Sequence, residues 1–328
     1  MKEDHLSPKF LKNRLIRSLF LILFNLACMV PGPKLFGLYT THNQLYGDEP
    51  KSNESQVRIL SWNIAMLPAL DFVQSGVNRA EGIGSALQKQ DYDMIVFQEA
   101  FSSAARQTIY KKIRKLYPYA YGPANAGISM KINSGVWIVS QVPLKIIKEY
   151  KYSGCQGFDC LSRKGAILLE GTFQGQQFQV IGTHLESDDS DLWVREKQLQ
   201  ELFDSIISPY SNREIPQIIC GDFNIDRDLS EQYMNMLKIL QCDDGNLLGN
   251  ERITFGFPLN ADTTVVLEKP RQLDYILTKN SGILGLISRK VSVIKESFAT
   301  GTGHLSDHYG IEAIIQFRLT GQNLVSLQ

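Results

Sequence analysis

Ile218-Ile219-Cys220-Gly221-Asp222-Phe223-Asn224 is an apolar run that stops abruptly on an acid and an amide. A short apolar run bounded by turn chemistry suits a strand buried on both faces, here over residues 217–220. Asp222 and Asn224 alternate, so at a strand end both side chains can point to the same side. The same arrangement recurs along the chain. The strand at 57–63 closes on Ser61-Trp62-Asn63, and the run 94–97 closes on Gln98-Glu99. The run 178–181 closes on Gly182-Thr183-His184-Leu185-Glu186. Downstream, Leu273-Asp274-Tyr275-Ile276 sets an acid among apolar neighbours, and Ser306-Asp307-His308 precedes a last strand at 311–317.

Between these segments the pattern predicts helices near 79–89, 102–116, 191–207 and 229–240. Further strands fall at 135–140, 144–150 and 291–294. The pair 166–173 and 178–183 flanks Gly175, a hairpin signature. Strands outnumber helices, and hairpins mix with crossover units. The expected fold is therefore α/β, with two packed sheets and helices on their outer faces.

The N-terminal region differs in kind from the rest. Lys9, Lys12, Arg14 and Arg17 precede apolar residues 19–30 and then Pro31-Gly32-Pro33, which describes an export signal over 1–31. The apolar stretch is short for a membrane span of about 20 residues, which leaves an uncleaved anchor as the alternative. Residues 32–56 read as a linker, 57–320 as the main domain and 321–328 as a tail. A secreted, extracellular or periplasmic location follows. Export makes the thiols candidates for pairing. Cys155 and Cys160 bracket a Gly-containing turn where a small-loop disulfide is conceivable, and Cys220 reads as a buried thiol.

Lys+Arg and Asp+Glu both number 34, so the net charge is zero. A non-specific nucleic-acid binder needs a basic excess to neutralise phosphates, and none is present, so no nucleic-acid partner is expected. The strand-end residues suit another chemistry. Glu99 with Asn63 offers hard oxygen ligands of the kind Mg²⁺ takes. His184 and His308 each lie near an Asp that can set tautomer and charge. A cation, a His–Asp pair and a donor amide suit in-line attack of water on a phosphodiester. His304 reads as structural or exposed.

The ordered set WN, QE, THL, GDFN, LDYI and SDH, with the segment 134–143, resembles the endonuclease/exonuclease/phosphatase superfamily over residues 57–318. The resemblance implies a DNase I-like four-layered α/β sandwich and makes 57–320 a phosphodiesterase domain. It implies that Glu99 and Asn63 bind the metal, Mg²⁺ or alternatively Mn²⁺ or Co²⁺. His308 becomes the general base, oriented by Asp307. His184 and Asn224 hold and polarise the phosphoryl oxygens. Asp222 acts near the leaving group or the attacking water, and Asp274 supports a catalytic imidazole or a metal water.

Cys155-Gln156-Gly157-Phe158-Asp159-Cys160-Leu161-Ser162-Arg163-Lys164-Gly165 resembles the segment that distinguishes the neutral sphingomyelinases, in which an Asp and a Lys five residues apart precede a Gly and a strand. That resemblance gives Asp159 and Lys164 a substrate or gating role; the plain alternative is a turn and a surface ion pair. It implies a monomer that touches membranes peripherally and hydrolyses sphingomyelin, a membrane phospholipid. Gly256 stands where that group usually has an Asp, and no long aromatic hairpin is evident. The rival readings are a DNase-like nuclease, an inositol-phosphate phosphatase and a non-catalytic lipid-binding protein.

Overall fold

The computed structural model describes residues 56–67, 74–127, 129, 131–188, 192–257, 269–279, 286–295, 299–300 and 303–317. The expected export signal, the expected linker up to residue 55 and the C-terminal tail lie outside these residues, and Gln56, expected as the linker's last residue, opens the first strand. Among the described residues, no helix is long and apolar enough to cross a membrane.

Strands are numbered in chain order. One sheet has seven strands in the order β3 (Tyr119–Tyr121), β4 (Trp137–Ser140), β2 (Met94–Gln98), β1 (Gln56–Asn63), β14 (Gly310–Phe317), β11 (Leu286–Ile294) and β9 (Asn246–Leu248). The second has five, in the order β10 (Asp274–Lys279), β8 (Gln217–Asp222), β7 (Gln176–His184), β6 (Gly165–Phe173) and β5 (Leu144–Lys151). A short pair, β12 (Ala299–Thr300) and β13 (Gly303–His304), stands apart.

Alternation along each strand divides the apolar residues into three layers of core. Val57, Ile59, Met94 and Val96 of the first sheet meet Ile167, Val180, Ile218 and Cys220 of the second between the sheets. The opposite face of the first sheet, with Leu60, Trp62, Ile95 and Phe97, buries Ile83 and Leu87 of helix Gln74–Leu87 and Ile109 of helix Ser103–Ile113. The outer face of the second, with Leu168, Ile181 and Ile219, buries Leu199 of helix Leu192–Leu202 and Met236 of helix Ser230–Leu240. This is the four-layered α/β sandwich that the strand runs imply. Gly182 marks the closest approach of the sheets, since a Cβ there would lie 2.8 Å from Val136 and 3.0 Å from Val96.

The hairpin forms as expected: Gln174 and Gly175 connect β6 to β7 with φ of 48° and 81°, the two positive values of a type I′ turn. The helix expected over 102–116 starts behind Ser102, whose hydroxyl accepts from the Ala105 N–H. The segment expected as one helix to 207 is α-helical to Leu202 and then widens into a π-turn over Phe203–Ile207. β3 and β9, three residues each, were not foreseen, and β11 starts at Leu286 instead of 291.

Candidate active site

Strand direction decides where the polar ends meet. β1 runs parallel to β2, with Asn63 beside Gln98, and β7 parallel to β8, with His184 beside Asp222. β10 runs antiparallel to β8 and sets its first residue, Asp274, beside Asp222. β14 runs antiparallel to β1, so the residues just before Gly310 return to the same end. One end of the sandwich therefore gathers Asn63, Glu99, His184, Asp222, Asn224, Asp274, Asp307 and His308.

His308 lies at the centre. Its Nδ1 is 2.8 Å from Asp274 Oδ2, and its Nε2 is 3.7 Å from Asp222 Oδ2. Burial works against charge on this imidazole, but Asp274 and then Asp222 outweigh it and push its pKa up to about 10. The carboxylate that orients His308 is thus Asp274, not its chain neighbour Asp307 as expected. Asp274 is brought in by the register of β10, whereas Asp307 lies in a bend and accepts from the Ser306 hydroxyl at 3.3 Å. The Thr254 hydroxyl accepts the backbone N–H groups of Leu273 and Asp274, fixing the strand start. Phe255 lays its ring 4.8 Å from the imidazole, and Trp62 Nε1–H donates to the His308 carbonyl at 3.0 Å.

Asp222 joins the two histidines. Its Oδ2 is 3.7 Å from His184 Nε2 as well, and it accepts from Asn63 Nδ2 at 3.0 Å, while Oδ1 accepts the Asn224 N–H at 2.9 Å. Burial opposes its charge, yet His308 and His184 hold its pKa below the ordinary value. Asn224 takes a left-handed φ of 52° and donates its amide to the Leu185 carbonyl at 3.2 Å.

Glu99 stands at the cleft side of this cluster, its side chain 21% exposed. Its φ of 51° is left-handed, a conformation that costs an L-residue about 1–2 kcal/mol and that functional sites retain. Burial and then the charge of Asp307 push its carboxyl up to about 7. A carboxyl whose ionisation is opposed by burial and a neighbouring carboxylate is what a divalent cation relieves, and a hard oxygen donor at the open side of the site suits one. Asn63 donates to Glu99 Oε1 at 3.2 Å while its own oxygen accepts the Ala65 N–H, so Glu99 presents the open ligand atom. Asp222, Asp274 and His308 also bring ligand atoms within 4.8 Å of one another. There Asp274 Oδ2 is bound to His308 and Asp222 accepts from Asn63 and Asn224, while Asp274 Oδ1 is buried without a hydrogen-bond partner.

Asp159 and Lys164 are not a surface pair. Lys164 is 5% exposed, and its ammonium has three acceptors: Asp159 Oδ2 at 2.7 Å, the Leu185 carbonyl at 2.6 Å and His184 Nε2 at 3.2 Å. Burial and the Lys164 charge lower the His184 pKa to about 3, so this imidazole is neutral and its Nε2 acts as an acceptor. Cys155 and Cys160 form a disulfide across the turn that carries Asp159. Cys220 is buried as a thiol, and His304 stacks its half-buried ring beside Phe257 and Tyr309.

Two contributors escaped the sequence reading. Arg79, on the first turns of its helix, is buried and donates to the carbonyls of Ile64, Ala65 and Leu305, clamping the loops after β1 and before His308. A cation interrupting the apolar face of an amphipathic helix was the available signal. Glu186 is also buried, and its carboxylate accepts the Gln156 N–H at 3.0 Å. Desolvation and the hydrogen bond to Asp159 push its pKa up to about 8.

The chain is similar to known proteins. Phospholipase C of Staphylococcus aureus is 28% identical over 259 residues, covering 70% of this chain and 76% of that protein. Sphingomyelinase C of Leptospira interrogans is 31% identical over 289 residues, covering 79% of this chain and 51% of that protein. The crystal structure of a beta toxin mutant from Staphylococcus aureus with bound magnesium ions is similar at a TM-score of 0.68 and 25% identity, covering 79% of this chain and 99% of that one. The model of the endonuclease/exonuclease/phosphatase family matches residues 60–308, from the strand that delivers Asn63 to the imidazole beside Asp274. The span takes in every residue gathered at the mouth, and the chain belongs to that family of hydrolytic enzymes.

Proposed function

We propose that this chain is a divalent-metal-dependent sphingomyelinase C that hydrolyses sphingomyelin to ceramide and phosphocholine. The observation that carries the reading is the buried His308–Asp274 pair beside Asp222, with the Glu99 and Asp307 carboxylates on the open side. The relatives named for sphingomyelin and phospholipid cleavage support the substrate class. The Asp159–Lys164 segment supports it too, because it ties a lysine directly to the site histidine.

Water is the nucleophile in this reading. His308 Nε2 takes one of its protons as the new O–P bond forms. Asp274 and Asp222 stabilise the resulting imidazolium. Without a cation the pKa of about 10 keeps the imidazole protonated at neutral pH. The positive charge of a bound cation would lower it toward the range in which a base contributes typically 10²–10⁴-fold. The bond from phosphorus to the ceramide oxygen breaks, and that oxygen leaves with a proton from the open mouth. Glu99 and Asp307 would hold Mg²⁺, with Mn²⁺ or Co²⁺ as substitutes, and the cation would supply charge neutralisation at the phosphodiester. Asn224, just after β8, and His184, the last residue of β7, line the phosphoryl site in this reading. Lys164 holds His184 neutral and in one orientation.

The test is a substrate panel with the full chain and Mg²⁺: sphingomyelin, phosphatidylcholine, plasmid DNA and inositol polyphosphates. Release of phosphocholine from sphingomyelin in preference to the other three is the expected outcome. Preferential cleavage of DNA or of inositol polyphosphates overturns the reading in favour of the corresponding branch of the family. No turnover of any of them leaves a lipid-binding protein on this fold.

A further inference from the structure

The zero net charge of the chain is a cancellation between two regions. Residues 111–164 carry ten basic side chains and two acidic ones, whereas 186–251 carry fifteen acidic and five basic. The fold gathers the basic set along one edge of the sandwich. β3 and β5 are the outermost strands of their sheets and lie on the same side. The Leu144 N–H donates to the Tyr121 hydroxyl at 2.6 Å, and the Asn125 amide donates to the Tyr150 carbonyl at 3.1 Å. Lys145, Lys148 and Lys151 stand exposed along β5. Lys111, Arg114 and Lys115 stand exposed at the end of helix Ser103–Ile113, just before β3. Lys131 extends the row toward the site end, on the loop whose Asn133 donates to the Phe101 carbonyl. Among the described residues none of these cations forms an ion pair. The acids that come near are engaged: Glu149 accepts the Asn125 N–H, Glu170 the Gln179 amide and Glu201 the Ser153 N–H, while Glu81 pairs with Lys112.

Lysines on an edge strand guard it against pairing with another strand, and cations at a helix end complement its dipole. Neither reason accounts for a continuous basic edge: between residues 92 and 186 no described acid is exposed. We infer that this edge is a docking surface for a linear sulfated polysaccharide, apart from the candidate active site. The inference does not depend on which substrate that site takes. The shape of the row selects the partner. Lys148 pairs with Leu168, whose side chain lies on the outer face of the second sheet, so both project to that face. Lys111, Arg114 and Lys115 belong to the helix that covers the outer face of the first. With sheets about 10 Å apart and a helix layer of similar depth, the row bends over a convex edge on the order of 20–30 Å across. A flat bilayer touches such an edge over part of the row, and so does duplex DNA, whose persistence length is about 150 bp. A single-stranded nucleic acid can follow the bend but draws its affinity from open aromatic faces. Here the Tyr121 hydroxyl is taken by Leu144, and Tyr150 packs edge-on against Tyr152 at 6.2 Å. A flexible chain of sulfates reaches both sets of cations and gains by releasing its counterions.

The full chain is titrated with heparin by calorimetry, from low salt to physiological ionic strength. Affinity falls linearly on a double-logarithmic plot against salt, the mark of counterion release. Lys145→Glu, Lys148→Glu and Lys151→Glu together raise Kd about tenfold or more. Lys111→Glu, Arg114→Glu and Lys115→Glu together do the same, because an occupant of the whole row uses both sets. Lys238→Glu binds as wild type, since its helix lies over β10 at the opposite edge of the second sheet. Gln at the same positions removes the charges without adding repulsion and gives the same ranking, so the test survives a reversal that fails to fold. Heparin bound no better than uncharged dextran, wild-type affinity in both triple variants, or a loss in only one of them overturns the docking row. Tighter binding of duplex DNA or of phosphatidylserine vesicles than of heparin overturns the polysaccharide as partner.

Discussion

The two flanks of Asp222 solve opposite problems. On one side lies Lys164, a buried cation whose three protons all have acceptors within the fold. On the other lies Glu99, held in a left-handed backbone conformation and pushed up to about 7 by burial and a neighbouring carboxylate. The first flank brings its own counter-charge and is complete in the chain alone. The second is built with an excess of negative charge and is completed from outside. A site that must bind and release a charged ligand needs both kinds of ground: a fixed part that sets geometry and an open part that gains stability on loading.

The largest effect that tests this division falls between the two flanks. Asp274→Asn preserves the shape of the pair with His308 but removes its charge, so the imidazole loses its main source of basicity. Turnover of a soluble phosphodiester falls roughly 10²–10⁴-fold, the worth of a general base, with little change in KM. The His308 pKa, followed by NMR, falls in the same variant; a wild-type rate or an unmoved His308 titration would remove Asp274 from its orienting role. Next in size is Lys164→Met, which leaves Asp159 buried without its cation. Breaking a buried pair from one side costs roughly 3–5 kcal/mol. The loss here sits near the lower end because the Ser187 N–H still serves the carboxylate. Denaturant unfolding shows the same loss with and without Mg²⁺, and a loss that Mg²⁺ cancels would place Lys164 on the open flank.

How much of this was visible in the sequence follows from which forces act locally. Apolar runs that stop on Asn63, Glu99, His184 and Asp222 showed both the strands and the end at which they are read, because burial imposes its pattern residue by residue. The Gly175 hairpin was legible for the same reason. Partnerships between strands were not. Asp307 is adjacent to His308 and was the obvious companion, whereas Asp274 is 34 residues away and arrives only through the register of β10 against β8. Lys164 likewise has a substrate or gating role only through the resemblance, and its contact with the loop after β7 comes from the fold. Arg79 looked like one polar position among many on a helix, since its acceptors are carbonyls of two loops 226 and 15 residues distant. β3 and β9 are too short for three-residue runs to show a period.

A smaller effect separates the flanks by metal response. Glu99→Gln removes one of the two opposed carboxylates while keeping the amide contact with Asn63. Its metal-free melting temperature at pH 8 equals or exceeds that of wild type, because a carboxyl with a raised pKa subtracts stability once ionised. The rise in melting temperature that Mg²⁺ gives wild type disappears in this variant. An undiminished rise would move the cation away from Glu99.

The smallest effect belongs to the complete flank and appears only as a dependence on pH. Glu186, hydrogen-bonded to Asp159, has its folded pKa raised from 4.5 to about 8. A proton held more tightly by the folded chain stabilises it fully below pH 4.5, and that contribution fades as pH rises through 8. Glu186→Gln keeps an oxygen for the Gln156 N–H and an N–H for Asp159 but cannot ionise. Between pH 5 and pH 9 wild type therefore loses stability relative to Glu186→Gln, on the order of 1–3 kcal/mol. Urea midpoints at the two pH values measure the difference, and parallel slopes for the two proteins would mean that Asp159 and Glu186 share no proton. The direction also distinguishes the flanks: Mg²⁺ abolishes the alkaline loss that comes from Glu99 and leaves the one from Glu186 untouched, since the second belongs to the Asp159–Lys164 side of the site.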